Sequence, residues 1–327
     1  MQERATYRTP SLELVRITEA GAIAAAHWMG HGDNKRADQA AVEAIRKAMD
    51  QVSFNGTIVI GEGERDEAPM LYIGEKVGRG EGPEIHIAVD PLEGTNLVAQ
   101  GRQNATAVMA VSEPGGLLHA PDTYMEKLIV GRPARGKVDL DRPVAENLRI
   151  IADSLNRDVE DLTIVILARD RHAKLIADVR AAGARIKLID DGDLTAAISV
   201  GIAGTALHAV MGTGGAPEGV LAAAALRCLG GEIVARLKFR SDEERARARK
   251  MGVTDEQRIY RTEDLASGKD LRFIATGVTD GELLQGVRFF NRGVRTHSVL
   301  LDSSMGKLRL IDSTHFDDPE DPPVVRL

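Results

Sequence analysis

The chain has 327 residues, which is enough for two domains or one large one, and its 43% hydrophobic and 28% charged residues are typical of a globular protein. The net charge of −7 argues against general nucleic-acid binding, and the single cysteine, Cys228, excludes an internal disulfide and a zinc–thiolate cluster. No apolar run reaches the roughly 18 residues of a membrane-spanning helix, and the N-terminus lacks a signal-peptide pattern, so we expect a cytoplasmic protein without a membrane partner.

The first 140 residues predict an α+β domain, a sheet of meandering strands with helices on one side. Apolar stripes of helical period favour helices over 11–31 and 35–51, and Pro69 favours another over 68–76. β-Branched and alternating segments predict strands over 57–60, 85–90, 104–111 and 124–130. The Gly-, Pro- and charge-rich stretch 131–143 predicts the domain junction, which gives domains 1–140 and 141–327.

The second half alternates helices and strands, which is typical of a mostly parallel sheet covered on both faces. Helices are predicted over 144–155, 172–182, 194–200 and 220–229, and strands over 162–167, 184–189 and 206–211. A further strand, 270–276, and a hairpin, 294–302 with 307–312, follow. Ligands of such sheets bind beyond the carboxyl ends of the strands, and here those ends carry 169–171, 190–193 and 214–219.

Two acids lie close together where the strand 85–90 ends, in Asp90-Pro91-Leu92-Glu93-Gly94-Thr95. Pro and Gly indicate a tight loop, and two carboxylates so close repel each other unless a cation or a proton lies between them. A second strand runs into clustered acids and glycines at 61–67, which include Glu62. Asp38 falls on the apolar stripe of the second helix, and it is either a ligand or an acid in the first helical turn.

These acids, with Glu218, are oxygen donors, and the sequence has no cysteine cluster. The implied ions are therefore hard, Mn²⁺ or Mg²⁺, and acids from several segments suggest two or more of them. The Thr95 hydroxyl either orients a water or phosphoryl oxygen, or caps a helix. Arg169 and Arg171 either hold a phosphate away from the metals or lie on a solvated loop.

Three stretches carry a resemblance to a known family: Gly61-Glu62-Gly63-Glu64-Arg65-Asp66-Glu67-Ala68-Pro69, Asp90-Pro91-Leu92-Glu93-Gly94-Thr95 and Gly214-Gly215-Ala216-Pro217-Glu218-Gly219. They resemble the class II (GlpX-type) fructose-1,6-bisphosphatases from about residue 11 to the C-terminal hairpin. The Asp-Pro-x-Glu-Gly-Thr core is shared with the wider lithium-sensitive phosphatase superfamily, whereas the other two stretches are more specific. The segments 93–99, 286–290 and 293–296 are similar to the cyanobacterial-type branch, whose members also hydrolyse sedoheptulose 1,7-bisphosphate.

The resemblance implies a fold and a set of roles. The fold is a layered α/β sandwich of the inositol-monophosphatase and fructose-bisphosphatase type, with α/β/α/β/α layers. Asp38 and Glu62 match one metal site, while Asp90, Glu93 and Glu218 match the other. Thr95 and Asp66 match catalytic residues. Substrate-binding positions correspond to Glu93, Gly94, Thr95, Tyr124, Arg169, Asp170, Arg171, Asp191, Gly192, Asp193 and Gly215.

The sequence departs from the family pattern at two positions. Asn34 stands where the family has a lysine, with Lys35 one residue later, about 100° further around a helix. Asp170 stands where the family commonly has proline. The displaced lysine is the one feature that supports a non-catalytic metal-binding homologue.

The expected function is metal-dependent hydrolysis of the C1 phosphate of fructose 1,6-bisphosphate to fructose 6-phosphate, as in gluconeogenesis or Calvin-type carbon metabolism. The alternatives are a sedoheptulose-1,7-bisphosphatase or dual-specificity enzyme, an inositol-type monophosphatase, and the non-catalytic homologue. The family also implies a homodimer or homotetramer. The expected partner is a sugar bisphosphate, with no nucleic acid.

Overall fold

The structure is a computed structural model that describes residues 11–63 and 70–317. In chain order its helices are α1 (Ser11–Ala26), α2 (Asn34–Met49), α3 (Thr95–Ala99), α4 (Val144–Leu155), α5 (Ala173–Ala181), α6 (Asp193–Gly201), α7 (Ala216–Leu229), α8 (Asp242–Lys250) and α9 (Thr262–Leu265). Its strands are β1 (Asn55–Ile60), β2 (Lys76–Val77), β3 (Glu84–Glu93), β4 (Thr106–Ser112), β5 (Tyr124–Val130), β6 (Thr163–Leu167), β7 (Arg185–Ile189), β8 (Ala209–Gly215), β9 (Glu232–Lys238), β10 (Tyr260–Arg261), β11 (Arg272–Gly277), β12 (Arg288–Phe290), β13 (Gly293–Asp302) and β14 (Lys307–Phe316).

The chain forms two compact units whose boundaries differ from the predicted domains. Of the described residues, unit 1 contains 11–63, 70–109, 272–302 and 307–317, and unit 2 contains 110–271 and 303–306. The stretch 131–143 lies within unit 2, and the two strands of the C-terminal hairpin belong to unit 1. The hairpin joins unit 1 because β11 and β13 are strands of the same sheet as β1 and β3, a long-range pairing that local composition does not reveal.

The sheet of unit 1 has the strand order β12-β13-β11-β4-β3-β1-β2, with β14 paired to β13. β1 and β3 are parallel, so the strands are not a simple meander, while β13 pairs antiparallel with β11, β12 and β14. The predicted hairpin is present, with β14 in register along the whole of β13.

Helices α1 and α2 pack against each other and against this sheet. The apolar residues Leu14, Ile17 and Ala25 of α1 are buried, as is Ile45 of α2. The Thr18 hydroxyl bonds to that of Thr276 at 2.8 Å, which anchors α1 to β11. The apolar period therefore predicted which helix faces are buried.

The helix predicted over 68–76 is wrong over its described part, which forms a turn and then β2. Leu71 and Gly74 have φ values of +54° and +92°, outside the helical region. The buried carboxylate of Glu75 accepts a hydrogen bond from the Leu71 N–H. This contact holds the segment in a turn.

The sheet of unit 2 has the order β10-β9-β5-β8-β6-β7. The prediction of a mostly parallel sheet is wrong, because only β8, β6 and β7 are parallel neighbours, whereas β5 is antiparallel to both β8 and β9. Helices cover both faces of this sheet, as expected. Helices α6 and α7 contact one face, and buried apolar residues of α4 and α5 pack against the other.

The fold class is the mixed α/β architecture expected from the sequence, with two sheets and flanking helices. Among the described residues, no helix combines the length and apolar character that crossing a membrane requires.

Candidate active site

Unit 1 places Asp38 near the start of α2. This helix begins after Asp33, whose side chain accepts a hydrogen bond from the Arg36 N–H at 3.1 Å. The N–H groups of Gly30 and Gly32 donate to carbonyls of α3, each at 2.9 Å, which fixes the start of α2 against α3. Because α2 begins at Asn34, Asp38 lies beyond the first turn, and the interpretation as a first-turn acid is wrong.

Glu62 follows β1 and is held by its backbone. Its N–H donates to the Leu71 carbonyl at 3.1 Å. The Leu71 N–H donates to Glu75, which also accepts a hydrogen bond from Arg46 Nε of α2 at 2.5 Å. Arg46 and Glu75 therefore tie the Glu62 segment to the helix that carries Asp38. This pair was not predicted from the sequence, because no local pattern connects the two residues.

Asp90 and Glu93 both lie in β3, which continues through the residues predicted to form a loop. The Asp90 carboxylate accepts a hydrogen bond from the Leu92 N–H at 3.1 Å. Carboxylate oxygens of Asp90 and Glu93 lie within 4.8 Å of each other, as the sequence predicts for acids three residues apart at a strand end. Gly94 follows with φ +86°, a conformation that favours glycine.

The charges of these acids act on one another. Burial and the Asp90 charge raise the pKa of Asp38 to about 6. Burial, followed by the charges of Asp38 and Asp90, raises the pKa of Glu62 to about 8. Three acids from α2, the β1 end and β3 thus lie close enough to oppose one another's ionisation.

This cluster fits a hard divalent cation. Its donors are carboxylate oxygens, the ligands that Mn²⁺ and Mg²⁺ prefer. A cation among Asp38, Glu62 and Asp90 would oppose the repulsion that raises the two pKa values. Glu93, 6% exposed, is buried beside Asp90 and provides a further donor.

Thr95 is the first residue of α3 and is half-buried. The helix cap is Gly94, and no side chain caps this helix, so the interpretation of Thr95 as a plain N-cap is wrong. Asn34, at the family's lysine position, donates its amide to Asn96 at 3.1 Å, and Lys35 is exposed. Asp66 lies outside the described residues.

In unit 2 the parallel strands bring several predicted residues to one sheet edge. Arg171 follows β6, and its Nε and one terminal nitrogen donate to the Thr213 carbonyl of β8 at 3.1 and 2.7 Å. Its guanidinium carbon lies 4.8 Å from the centroid of the Tyr124 ring. Tyr124 pairs in register with Gly215. Arg171, Tyr124 and Gly215 therefore lie together.

The remaining strand-end residues differ from one another in burial and in hydrogen-bond partners. Arg169 is half-buried and bonds to the Ala168 carbonyl, and Asp170 is exposed. Asp191 accepts a hydrogen bond from the N–H of Gly192, which precedes α6 with φ +79°. Asp193 is buried and bonds to Lys127 Nζ at 2.9 Å. Lys127, a buried lysine within the apolar strand β5, was missed although its position was a visible signal.

Glu218 lies in the first turn of α7, directly after the Gly214-Gly215 end of β8. A Cβ on Gly215 would lie 1.9 Å from Glu218 Oε2, so a larger residue at 215 would displace that carboxylate from its present position. The α7 N-terminus is a favourable place for a negative charge. The glycines and the acid of the motif 214–219 therefore fit together locally in unit 2, since Gly215 lies beside the Glu218 carboxylate.

The His172 side chain links β6 to β8 by hydrogen bonds. This role was also not predicted from the sequence. His172 is buried; its Nδ1 lies 2.8 Å from the Leu167 carbonyl, and its Nε2 accepts a hydrogen bond from the Thr213 N–H at 2.8 Å. Since Nδ1 donates to the carbonyl, Nε2 is an acceptor only in the neutral ring. His172 thus fixes the residue whose carbonyl holds Arg171.

We expect His172→Asn to weaken this connection, because asparagine can replace Nδ1 as a donor but cannot reach the Thr213 N–H. An unsatisfied N–H costs about 1–3 kcal/mol of unfolding free energy. Urea unfolding of this variant, with the exposed Lys174→Met as control, measures the loss. Equal stability of the two variants would contradict the connecting role.

Two mixed sheets flanked by helices, with an oxygen-donor cluster and arginines at strand ends, are features of metal-dependent phosphatases. The family model for bacterial fructose-1,6-bisphosphatase, glpX-encoded, matches residues 8–315, and the chain belongs to this family. A relative from Synechococcus sp. (strain JA-3-3Ab) is 51% identical over 97% of this chain and 98% of its own length. Relatives from Gloeobacter violaceus and Synechocystis sp. are 48% and 47% identical, over 95% and 98% of this chain and 97% and 99% of their own. All three are named D-fructose 1,6-bisphosphatase class 2/sedoheptulose 1,7-bisphosphatase.

Proposed function

We propose that this protein hydrolyses the C1 phosphate of fructose 1,6-bisphosphate to fructose 6-phosphate and phosphate. The supporting observation is near-full-length similarity, at about half identity, to relatives named for this activity. The same names support sedoheptulose 1,7-bisphosphate as a second substrate.

The proposed metal ligands are Asp38, Glu62, Asp90, Glu93 and Glu218, with Mn²⁺ or Mg²⁺ as the ions. Bound divalent ions supply Lewis acidity and neutralise charge on phosphoryl oxygens. The mutual repulsion of the unit 1 carboxylates supports their part of this assignment. The assignment of Glu218 is supported by the family motif and by the space beside its carboxylate at Gly215.

Thr95 is proposed to act on the reacting groups directly. Its hydroxyl, not needed for capping α3, can donate to a phosphoryl oxygen or orient the attacking water. Asp66 is the proposed acceptor of that water's proton. The water oxygen bonds in line to the phosphorus of the C1 phosphate, and the bond from this phosphorus to the C1 oxygen breaks. The departing C1 oxygen takes up a proton from solvent, which gives fructose 6-phosphate and phosphate.

The other end of the substrate is assigned to residues of unit 2. Arg171 carries a fixed positive charge beside Tyr124, and a guanidinium matches phosphate geometry through paired donors. Arg169, Asp170, Asp191, Gly192, Asp193 and Gly215 are proposed as its neighbours in substrate binding, with Glu93 and Gly94 beside Thr95. The Asp193 carboxylate pairs with Lys127 Nζ. We therefore assign Asp193 a contact with the substrate either through its backbone or through Lys127, which would donate to both.

Phosphate release from purified protein, measured over a Mn²⁺ and Mg²⁺ series, tests this function. Fructose 1,6-bisphosphate, sedoheptulose 1,7-bisphosphate and inositol 1-phosphate are compared side by side. We expect turnover of the first, equal rates for the first two if the enzyme is dual, and little for the third. No release from either bisphosphate with either metal would refute the enzyme, and a preference for inositol phosphate would identify a monophosphatase.

We expect Glu218→Gln to lower turnover at least about tenfold, because an amide oxygen binds a divalent cation less strongly than a carboxylate. The variant should fold like the wild type, since glutamine has the same shape. Turnover and melting temperature are measured together, with Glu243→Gln on α8 as an exposed control. Wild-type turnover would remove Glu218 from the metal site.

The cytoplasmic location and the homodimeric or homotetrameric state stay predictions from the sequence. Size-exclusion chromatography with light scattering measures the oligomeric state.

A further inference from the structure

The Tyr124 ring has two cations beside it. The guanidinium carbon of Arg171 lies 4.8 Å from the ring centroid, and that of Arg240 lies 4.5 Å from it. Both distances are within the range of a cation–π contact. Arg171 and Tyr124 already have proposed roles in substrate binding, whereas Arg240, two residues after β9, has none. Arg240 is paired with the Glu244 carboxylate, so the Arg171 guanidinium is the charge that most favours an anion beside this ring.

Arg240 is held in place by a buried acid. The Glu244 carboxylate, 6% exposed, accepts hydrogen bonds from Arg240 Nε at 2.6 Å and from the Arg240 backbone N–H at 2.7 Å. The Thr123 hydroxyl donates to the same carboxylate at 2.9 Å. Thr123 directly precedes Tyr124, so this acid connects Arg240 to the strand that carries the ring.

The two guanidinium groups keep unused donors. Arg171 bonds to the Thr213 carbonyl through Nε and one terminal nitrogen, and Arg240 bonds to Glu244 in the same way. Arginine has five N–H donors, so N–H groups of both residues remain for a ligand, although Arg240 also forms a side-chain hydrogen bond with Tyr124. Among the described residues, the hydrogen-bond acceptor of the Arg171 guanidinium is the neutral Thr213 carbonyl and not a carboxylate.

We propose that Arg240, Tyr124 and Arg171 form one anion-binding cradle for the phosphate that is not cleaved, and that Arg240 determines the preference for bisphosphates over monophosphates. This inference rests on the proposed function for its choice of ligand. Glu244 acts as a positioning residue, because it orients Arg240 without reaching the ligand itself.

Direct binding of fructose 6-phosphate tests the cradle without turnover, since this molecule keeps the distal phosphate and lacks the cleaved one. Isothermal titration compares the wild type with Arg240→Met, Arg240→Lys and Arg249→Met. The last is the matched control: it loses the same charge from α8, where Arg249 pairs at the surface with Glu256. We expect Arg240→Met to weaken binding about tenfold, as for a charged hydrogen bond, and Arg249→Met to leave it unchanged.

Kinetics provide the second measurement. Arg240→Met should raise KM for fructose 1,6-bisphosphate about tenfold with kcat little changed, and should leave kcat/KM for fructose 1-phosphate at the wild-type value. Arg240→Lys, which keeps the charge but not the fork, should recover part of the loss. If Arg240 had only a structural role, its substitution would lower kcat/KM for both substrates together. A lowered melting temperature of the variant would identify that case.

The outcomes separate the two proposals. If the wild type hydrolyses neither bisphosphate, the proposed function fails. If the wild type hydrolyses fructose 1,6-bisphosphate and Arg240→Met matches Arg249→Met in binding and KM, the cradle fails. Equal losses for fructose 1-phosphate and the bisphosphate would also overturn it.

Discussion

Asp90→Asn should lower turnover at least about a thousandfold, the effect of removing several kcal/mol of metal-dependent charge stabilisation. The same variant should not destabilise the metal-free protein. Asp90 contributes to the repulsion that raises the pKa values of Asp38 and Glu62, and asparagine removes that charge. Its side-chain oxygen can still accept the hydrogen bond from Leu92. Phosphate release and thermal unfolding are measured on the same preparation.

The response to metal supplies a readout that does not depend on activity. A ligand that binds only the folded state stabilises it by about 2.7 kcal/mol at a hundred times its Kd. Added Mn²⁺ should therefore raise the melting temperature of the wild type and of Glu43→Gln, an exposed control on α2, more than that of Asp90→Asn. An equal rise in all three, with full turnover in Asp90→Asn, would show that the cluster does not hold the ion.

Local patterns predicted the elements of the fold better than their pairing. The strand β5 was predicted at its observed bounds but placed in the first domain, whereas it pairs with β8 and β9 in unit 2. Hydrogen bonds between distant strands leave no local period in the sequence. The strand β9 was not predicted, although Ile233 and Val234 are β-branched and follow a double glycine.

The site residues were predictable where a single short segment carries the geometry. Asp90 and Glu93 are three residues apart, and their carboxylates lie close together. Arg171, after β6, was expected to meet the ends of neighbouring strands, and it bonds to Thr213 of β8. For Arg171 the sequence pattern sufficed because the parallel strands β6 and β8 share one edge.

Residues that hold others in place were not predictable in the same way. Glu75 and Arg46 are far apart in sequence, yet together they secure the segment beside Glu62. Glu244 lies in a densely charged segment, but it is buried against Arg240 and Thr123. Composition describes such residues as surface charge, and only tertiary contacts show that they are fixed.

Thr95→Val should lower kcat by about 10² to 10³, the range for loss of one donor to a transition-state oxygen, with little change in KM. Valine has nearly the shape of threonine, and the hydroxyl does not cap α3, so the melting temperature should stay at the wild-type value. Thr95→Ser, which keeps the hydroxyl, should recover most of the turnover. Thr57→Val on β1 is a control for the same change at a half-buried position of unit 1.

Two results would count against this role for Thr95. Equal kcat for Thr95→Val and the wild type would show that its hydroxyl takes no part in the reaction. A lowered melting temperature together with weaker fructose 6-phosphate binding would assign Thr95 to structure instead. We expect a lower kcat with unchanged stability and unchanged fructose 6-phosphate binding. This combination arises only if the hydroxyl acts on the reacting groups, because fructose 6-phosphate lacks the phosphate that is cleaved.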